Sequence, residues 1–156
     1  YTHGTPFRRA IEDGYLDPTH SIQVGIRGYA ETYRNEYAKE HGMEVITARE
    51  LHKIGIEEAA ARIRKQVGTS PVIVTFDIDF LDPAAAPGTG TPVSGGFTTY
   101  EGMELVRRSI PGLDVKGFDL VEVMEDYDPG HITALAATYL ITQFISVISQ
   151  NKKNAE

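Results

Sequence analysis

Apolar and polar positions along this chain follow two periods, one typical of strands and one typical of helices. Short apolar runs predict strands over residues 21–28, 44–47, 71–79 and 115–123, and the third is apolar enough to be buried on both faces. Helical spacing predicts helices over residues 29–41, 48–67 and 132–148, with a further helix starting at Thr98. This alternation favours an α/β fold with a mainly parallel sheet.

The most informative stretch runs from Val72 to Pro92, VIVTFDIDFLDPAAAPGTGTP. Asp77 and Asp79 close its apolar run, and residues i and i+2 of a strand point to the same face, so the two acids are predicted to project together. Such acids are costly to bury unless they are paired, hydrogen-bonded or bound to a metal. Carboxylate oxygens are hard ligands suited to Mg, Ca or Mn. The alternative is that both aspartates cap amides of the following loop.

Two further residues are candidates for a site. Glu122 lies at the carboxyl end of the last predicted strand, where it would bind a cationic substrate group or form a salt bridge with an arginine at the sheet edge. Ligands of parallel sheets bind at the carboxyl ends of the strands, and Asp77, Asp79 and Glu122 all lie there in this interpretation. His3 lies in a loop before the first apolar residues, where a histidine is usually solvated.

Composition narrows the class of protein. The 156 residues suit one domain, and the net charge of −7 argues against a nucleic-acid or anionic-membrane partner. The absence of cysteine excludes disulfides and thiolate metal sites. No apolar run is expected to approach the roughly 18 residues that span a bilayer, and no signal peptide is evident. A cytoplasmic location is expected, although the absence of cysteine says little about compartment.

Three segments together resemble one family. TFDIDFLDPAAAPGTGTPVSGGFT resembles the second metal-binding signature of the ureohydrolases, the arginase and agmatinase family. GFDLVEVMEDYDPGHITALAATYL resembles the family's next segment. HGTPFRRAIEDG and IQVGIRG resemble the upstream region of the agmatinase branch, which includes guanidinobutyrase and guanidinopropionase. The resemblance covers nearly the whole chain.

The resemblance implies a three-layer α/β/α fold and a manganese-dependent amidinohydrolase. Such an enzyme hydrolyses a guanidino compound, here agmatine first, to urea and an amine; guanidinobutyrase or guanidinopropionase activity is the alternative. By this resemblance Asp77 and Asp79 would bind a pair of Mn²⁺ ions, Glu122 would hydrogen-bond the guanidinium, and His3 would shuttle protons or contact substrate. Family members commonly form homo-trimers or hexamers.

The chain also departs from the family. The G-G-D-H and D-A-H-x-D segments that carry the remaining metal ligands are absent from these residues, so we expect residues 1–156 to be the C-terminal part of a single ureohydrolase domain, inactive alone. Met124, Glu125 and Asp126 stand where many relatives have Ser-Pro or Asn-Pro, which leaves the substrate open. Two alternatives remain: a non-catalytic ureohydrolase-like binding protein, and a generic calcium- or magnesium-binding α/β module.

Overall fold

Helices and strands alternate along the chain as the sequence predicts. The computed structural model describes residues 1–29 and 35–154. Within these residues the helices are α1 (Pro6–Glu12), α2 (Asn35–Glu40), α3 (Ala48–Val67), α4 (Thr99–Ser109) and α5 (Ile132–Asn154), and the strands are β1 (Ile22–Ile26), β2 (Glu44–Thr47), β3 (Pro71–Asp77) and β4 (Asp114–Val121). The part of the predicted 29–41 helix that falls on residues 30–34 lies outside the described residues.

The strands form two parallel pairs. β1 pairs with β2, and β3 pairs with β4, each in parallel register. A parallel pair needs a crossover connection, and α2 lies in the connection from β1 to β2 and α4 in the connection from β3 to β4. The predicted α/β class with parallel strands is therefore confirmed.

The ends of α3 and α4 are set by the residues that the sequence indicates. The Thr47 side chain accepts the Glu50 amide at 3.2 Å to begin α3, and Gly68, at φ 61°, ends it. Gly55 (φ 78°, ψ 170°) kinks α3 at the predicted break. Thr98 and Glu101 form a reciprocal capping box at the start of α4.

The core lies between the strands and the helices α3, α4 and α5. Its centre is a chain of ring contacts in which Phe80 stacks on Phe97 (4.7 Å between centroids) and Phe144 stacks on Phe118 (5.1 Å). Phe76 meets Phe80 and Phe144 edge-on. Because Phe80 directly follows Asp79, this packing anchors the segment that carries the acids.

Strand β3 differs from the prediction in two ways. It ends at Asp77 rather than at residue 79, since the chain turns into a short 3₁₀ segment, Ile78–Phe80. The expectation of burial on both faces is also wrong, because Ile73 is 74% exposed. Nothing in the described part of the chain covers the face on which Ile73 lies.

Helix α5 is more apolar than the sequence analysis allows. With the preceding turn it is long and apolar enough, by length and composition alone, to cross a membrane (mean hydropathy 1.6). The expectation that no apolar run approaches the roughly 18 residues that span a bilayer is therefore wrong. One face packs in the core through Leu140 and Phe144, which are 0% and 1% exposed, as in a core helix. The other face exposes Leu135 and Tyr139.

Candidate metal centre

The register between β3 and β4 brings carboxylates from separate segments to one edge of the sheet. Asp77 lies opposite Val121, the last residue of β4, and Glu122 follows at once. Asp79 lies one turn beyond the end of β3. Asp77 therefore has the negative charges of both Asp79 and Glu122 close enough to alter its protonation.

Asp77 both shapes the turn and faces the site. Its Oδ1 accepts the backbone amide of Asp79 at 3.0 Å, and its other oxygen accepts no hydrogen bond from the described residues. Burial raises the pKa of Asp77 to about 6, and the charges of Asp79 and Glu122 push in the same direction against the amide bond and Arg27. A cation beside this carboxylate would relieve that unfavourable environment.

Asp79 is held from two sides. Thr91 donates its hydroxyl to Oδ2 of Asp79 at 3.1 Å, and the guanidinium of Arg27 donates to the Asp79 carbonyl. Asp79 does not lie in the strand as predicted, because the capping bond to Asp77 turns the chain. Asp77 caps the Asp79 amide, which precedes the loop, and no amide of residues 80–90 donates to either carboxylate within the described residues. Oxygens of both carboxylates remain for a ligand.

Glu122 occupies a backbone conformation that few residues of its kind adopt. The strand predicted over residues 115–123 ends at Val121, two residues early, and Glu122 has φ 67°, in the left-handed region. Its side chain is exposed, and the described residues offer it no ion-pair partner, so the salt-bridge alternative finds no support there. Strained backbone at an exposed acid is typical of functional sites.

The loop over residues 88–91 is fastened next to Glu122. The Gly88 amide donates to Oγ1 of Thr133 at 2.8 Å, and the Gly88 carbonyl accepts the Met124 amide at 2.8 Å. A Cβ on Gly90 would lie 3.7 Å from Oε2 of Glu122, so the bare backbone passes close to that carboxylate. This loop carries Thr91 as well, so it links the environments of Glu122 and Asp79.

Asp128 stabilises the same region through hydrogen bonds to the start of α5. Its carboxylate accepts the amides of Thr133 and Ala134 at 2.8 and 2.9 Å, at the start of α5. Although burial alone would raise the pKa of Asp128, these amide bonds hold it below the ordinary value. Asp128 is therefore a structural carboxylate, buried and fully used.

His3 stands apart from the acids. It is exposed in the turn before α1, and within the described ranges no hydrogen bond joins it to Asp77, Asp79 or Glu122. The structure brings the three acids to one sheet edge, and among the described residues neither a hydrogen bond nor an ion pair links His3 to them.

The donor set fits a hard divalent cation but is only part of a complete site. Asp77 and Asp79 offer carboxylate oxygens, the ligands preferred by Mg²⁺, Ca²⁺ and Mn²⁺. The described ranges contain no group of three or more His, Cys, Asp or Glu residues placed to hold a metal. Further ligands would have to come from another part of the protein.

A shallow depression of about 320 Å³ lies elsewhere, on the outer surface between α3 and α4. Arg108 forms ion pairs there with Glu57 and Glu104. These charges are already neutralised, and the depression has no contact with the three acids.

The comparisons with known proteins agree with this geometry. The model of the arginase family matches residues 1–146. This chain belongs to the arginase family. The guanidinopropionase of Pseudomonas aeruginosa is 45% identical over 152 residues, which are 97% of this chain and 48% of that protein. An agmatinase of Chromobacterium violaceum is 43% identical over 153 residues, which are 98% of this chain and 45% of that protein.

Solved structures show the same fold. The proclavaminate amidino hydrolase of Streptomyces clavuligerus has a TM-score of 0.90 and 42% identity, covering 97% of this chain and 50% of that one. This arginase-family chain spans about half the length of the curated relatives it matches. The arginase-like α/β architecture that the resemblance implies is confirmed.

Asp82 and Arg27, which no motif in the sequence singled out, also shape the surroundings of the acids in this arginase-family chain. Asp82 binds the amides of Gly95 and Gly96 through Oδ2 at 2.8 and 3.1 Å, and so closes the long loop. Its spacing in D-x-D-x-x-D is a signal that could have revealed it. Arg27 reaches the same loop from β1, and nothing in the local sequence predicts that contact.

Proposed function

We propose that the full-length gene product is a manganese-dependent amidinohydrolase that cleaves a guanidino compound to urea and an amine. The observation that carries the proposal is the convergence of Asp77, Asp79 and Glu122 at one sheet edge. It is supported by relatives named guanidinopropionase and agmatinase, at 45% and 43% identity.

Hydrolysis of a guanidinium is difficult, and this difficulty accounts for the proposed roles of the acids. A guanidinium is a poor electrophile because its charge is delocalised. Two bound divalent cations lower the pKa of a water molecule enough to make it a nucleophile at neutral pH. Asp77 and Asp79 would hold these cations through the oxygens that the turn leaves available, with Thr91 and the Asp79 amide fixing the carboxylates.

Glu122 would bind the substrate. Its carboxylate can accept two N–H bonds from a guanidinium, and such charge-assisted bonds are strong and directional. They would hold the guanidinium carbon in a fixed position for attack. His3, at the exposed start of the chain, would contact substrate or carry a proton.

The charge beside Glu122 favours agmatine as substrate. Glu125 and Asp126 are exposed in the next turn, and acids at this place attract a substrate whose far end is an amine. A carboxylate end, as in 3-guanidinopropanoate, would be repelled. Guanidinopropionase activity remains the second candidate because of the 45% identity to that enzyme.

Assembly and location belong to the same proposal. We expect a homo-trimer or hexamer in the cytoplasm, and the exposed apolar side chains Leu135 and Tyr139 of α5 are suited to burial in a larger structure. The mass of the full-length protein in solution tests the oligomer.

The test is urea release from the purified full-length gene product, with and without Mn²⁺. Agmatine, 4-guanidinobutanoate, 3-guanidinopropanoate and arginine would be compared, with agmatine expected to be best and residues 1–156 alone expected to be inactive. No urea from any substrate would contradict the proposal. Binding without preference for Mn²⁺ would instead support a generic calcium or magnesium module.

A further inference from the structure

We propose that Arg27 is a positioning residue that holds the Asp79 segment and the loop at Val93 in the geometry that binds metal. The inference rests on the proposed function, since it concerns the same site. Arg27 forms no hydrogen bond with the carboxylate of Asp77 or of Asp79. It acts through the backbone of the segment that carries Asp79.

Three carbonyl groups converge on the guanidinium of Arg27. Its Nη2 donates to the carbonyls of Asp79 and Leu81, the latter at 3.2 Å, and its Nε donates to the carbonyl of Val93 at 2.9 Å. Two of these carbonyls bracket Phe80, and the third belongs to the long loop. One side chain thus joins the turn at the end of β3 to the loop that covers it.

The neighbours of Arg27 fit the same surfaces. Gly25 lies against the Phe80 ring, so closely that a Cβ there would be 2.5 Å from Cδ2 of Phe80. Gly28 faces the side chain of Val93, where a Cβ would be 3.2 Å from Cγ1. Residues 25–28, at the end of β1, therefore pack closely against Phe80, next to Asp79, and against Val93.

A guanidinium suits this role for two reasons. Its planar fork presents several N–H groups in a fixed arrangement, whereas a lysine ammonium is a single point charge on a flexible stem. Its charge is also permanent, so its donors stay available at any pH at which the protein folds. Residues that do not bind the metal but orient its ligands commonly change metal affinity when they are substituted.

The experiment is a titration of the metal-free, full-length gene product with Mn²⁺, in which electron paramagnetic resonance measures the free ion. We expect Arg27→Met to weaken Mn²⁺ binding by about 10-fold or more. Arg27→Lys should lose part of this affinity, because a lysine cannot span three carbonyls. Should Arg27→Met fail to fold, Arg27→Lys decides, and wild-type affinity in it would overturn the proposal.

Arg64→Met is the matched control. Arg64 also donates to a backbone carbonyl, that of Arg108, but on the surface between α3 and α4, away from the acids. Its loss should leave Mn²⁺ affinity unchanged; an equal loss in both variants would show general loosening and overturn the role of Arg27. Wild-type protein that binds Mn²⁺ but releases no urea would refute the proposed function while leaving this inference intact.

Discussion

The backbone amide of Asp79 donates a hydrogen bond to Oδ1 of Asp77 over 3.0 Å. This bond turns the chain at the end of β3 and places two carboxylates beside each other. The two carboxylates differ in their contacts. Asp77 accepts this amide and so shapes the turn, whereas the Asp79 carboxylate accepts the hydroxyl of Thr91 and caps no amide among the described residues.

This difference predicts distinct effects of two substitutions at Asp77. Asp77→Asn keeps an oxygen for the Asp79 amide, so the turn should persist while Mn²⁺ affinity falls by more than about 10-fold. Asp77→Ala removes the cap as well and should also lower the unfolding temperature, since a lost cap costs about 1 kcal/mol. Manganese titration and thermal unfolding of the full-length protein measure the two effects.

Asp119→Asn supplies the control for charge. Asp119 is an exposed acid of β4, opposite Thr75 and outside the site. Its substitution removes the same charge and should change neither affinity nor stability appreciably. Loss of Mn²⁺ binding in this variant would mean that overall charge, and not ligation, explains the effect at Asp77.

Glu122→Gln should weaken the binding of guanidino substrates. Glutamine keeps the size and one acceptor oxygen but loses the charge, and a hydrogen bond to a charged group contributes about 1.5–3 kcal/mol. We therefore expect kcat/KM to fall by roughly 10- to 100-fold, while Mn²⁺ affinity changes little. Glu58→Gln, the same change on the exposed surface of α3, is the control, and an equal fall there would contradict a specific role for Glu122.

The left-handed backbone of Glu122 predicts a gain in stability at the expense of function. Asparagine tolerates this region far better than glutamate, and a residue held there against its preference costs on the order of 1 kcal/mol. Glu122→Asn should therefore raise the free energy of unfolding by up to about 1 kcal/mol while lowering urea release. A variant that is less stable than wild type in denaturant unfolding would show that φ 67° carries no strain here.

Gly88→Ala should disturb the loop beside Glu122. A Cβ at this position would lie 2.5 Å from Cβ and 2.9 Å from Cα of Asp128, and the backbone there cannot move aside easily. Overpacking of this kind costs about 1–3 kcal/mol, so the unfolding temperature and kcat/KM should both fall. Gly117→Ala is the matched control because nothing lies within 4 Å of its Cβ position, and it should be tolerated.

Asp17 predicts a dependence of stability on pH that is independent of the site. Its carboxylate accepts the hydroxyl and amide of Thr19 at 2.7 and 2.8 Å and bonds Nδ1 of His20, and these bonds lower its pKa from 3.8 to about 2. A lowered pKa means that the folded state favours the ionised acid. The contribution is therefore complete above pH 3.8 and is lost as the pH falls towards 2.

The measurement compares Asp17→Asn with wild type in thermal unfolding. The difference between them should be largest near neutral pH and should shrink as the pH falls below 4. A difference that stays constant down to pH 2 would show that ionisation of Asp17 contributes nothing.

Features that depend only on neighbours along the chain can be predicted from the sequence alone. Thr98 and Glu101 specify a capping box because their side chains need only reach each other's backbone amides, and Gly55 marks the kink in α3 because only glycine adopts its φ easily. The acids at the end of an apolar strand could also be recognised as candidate ligands, since burial of a charge is costly wherever it occurs. The family resemblance added the roles of Asp77, Asp79 and Glu122.

Contacts between segments that are distant in the sequence can be recognised only in the folded structure. The strand ends at Asp77 because its own side chain captures the Asp79 amide, and periodicity contains no information on that bond. Arg27 meets Asp79, Leu81 and Val93 across more than 50 residues of sequence, so no local pattern predicts it. Asp77 likewise lies beside Glu122 because of the parallel register of β3 and β4, and packing of the whole domain selects that register.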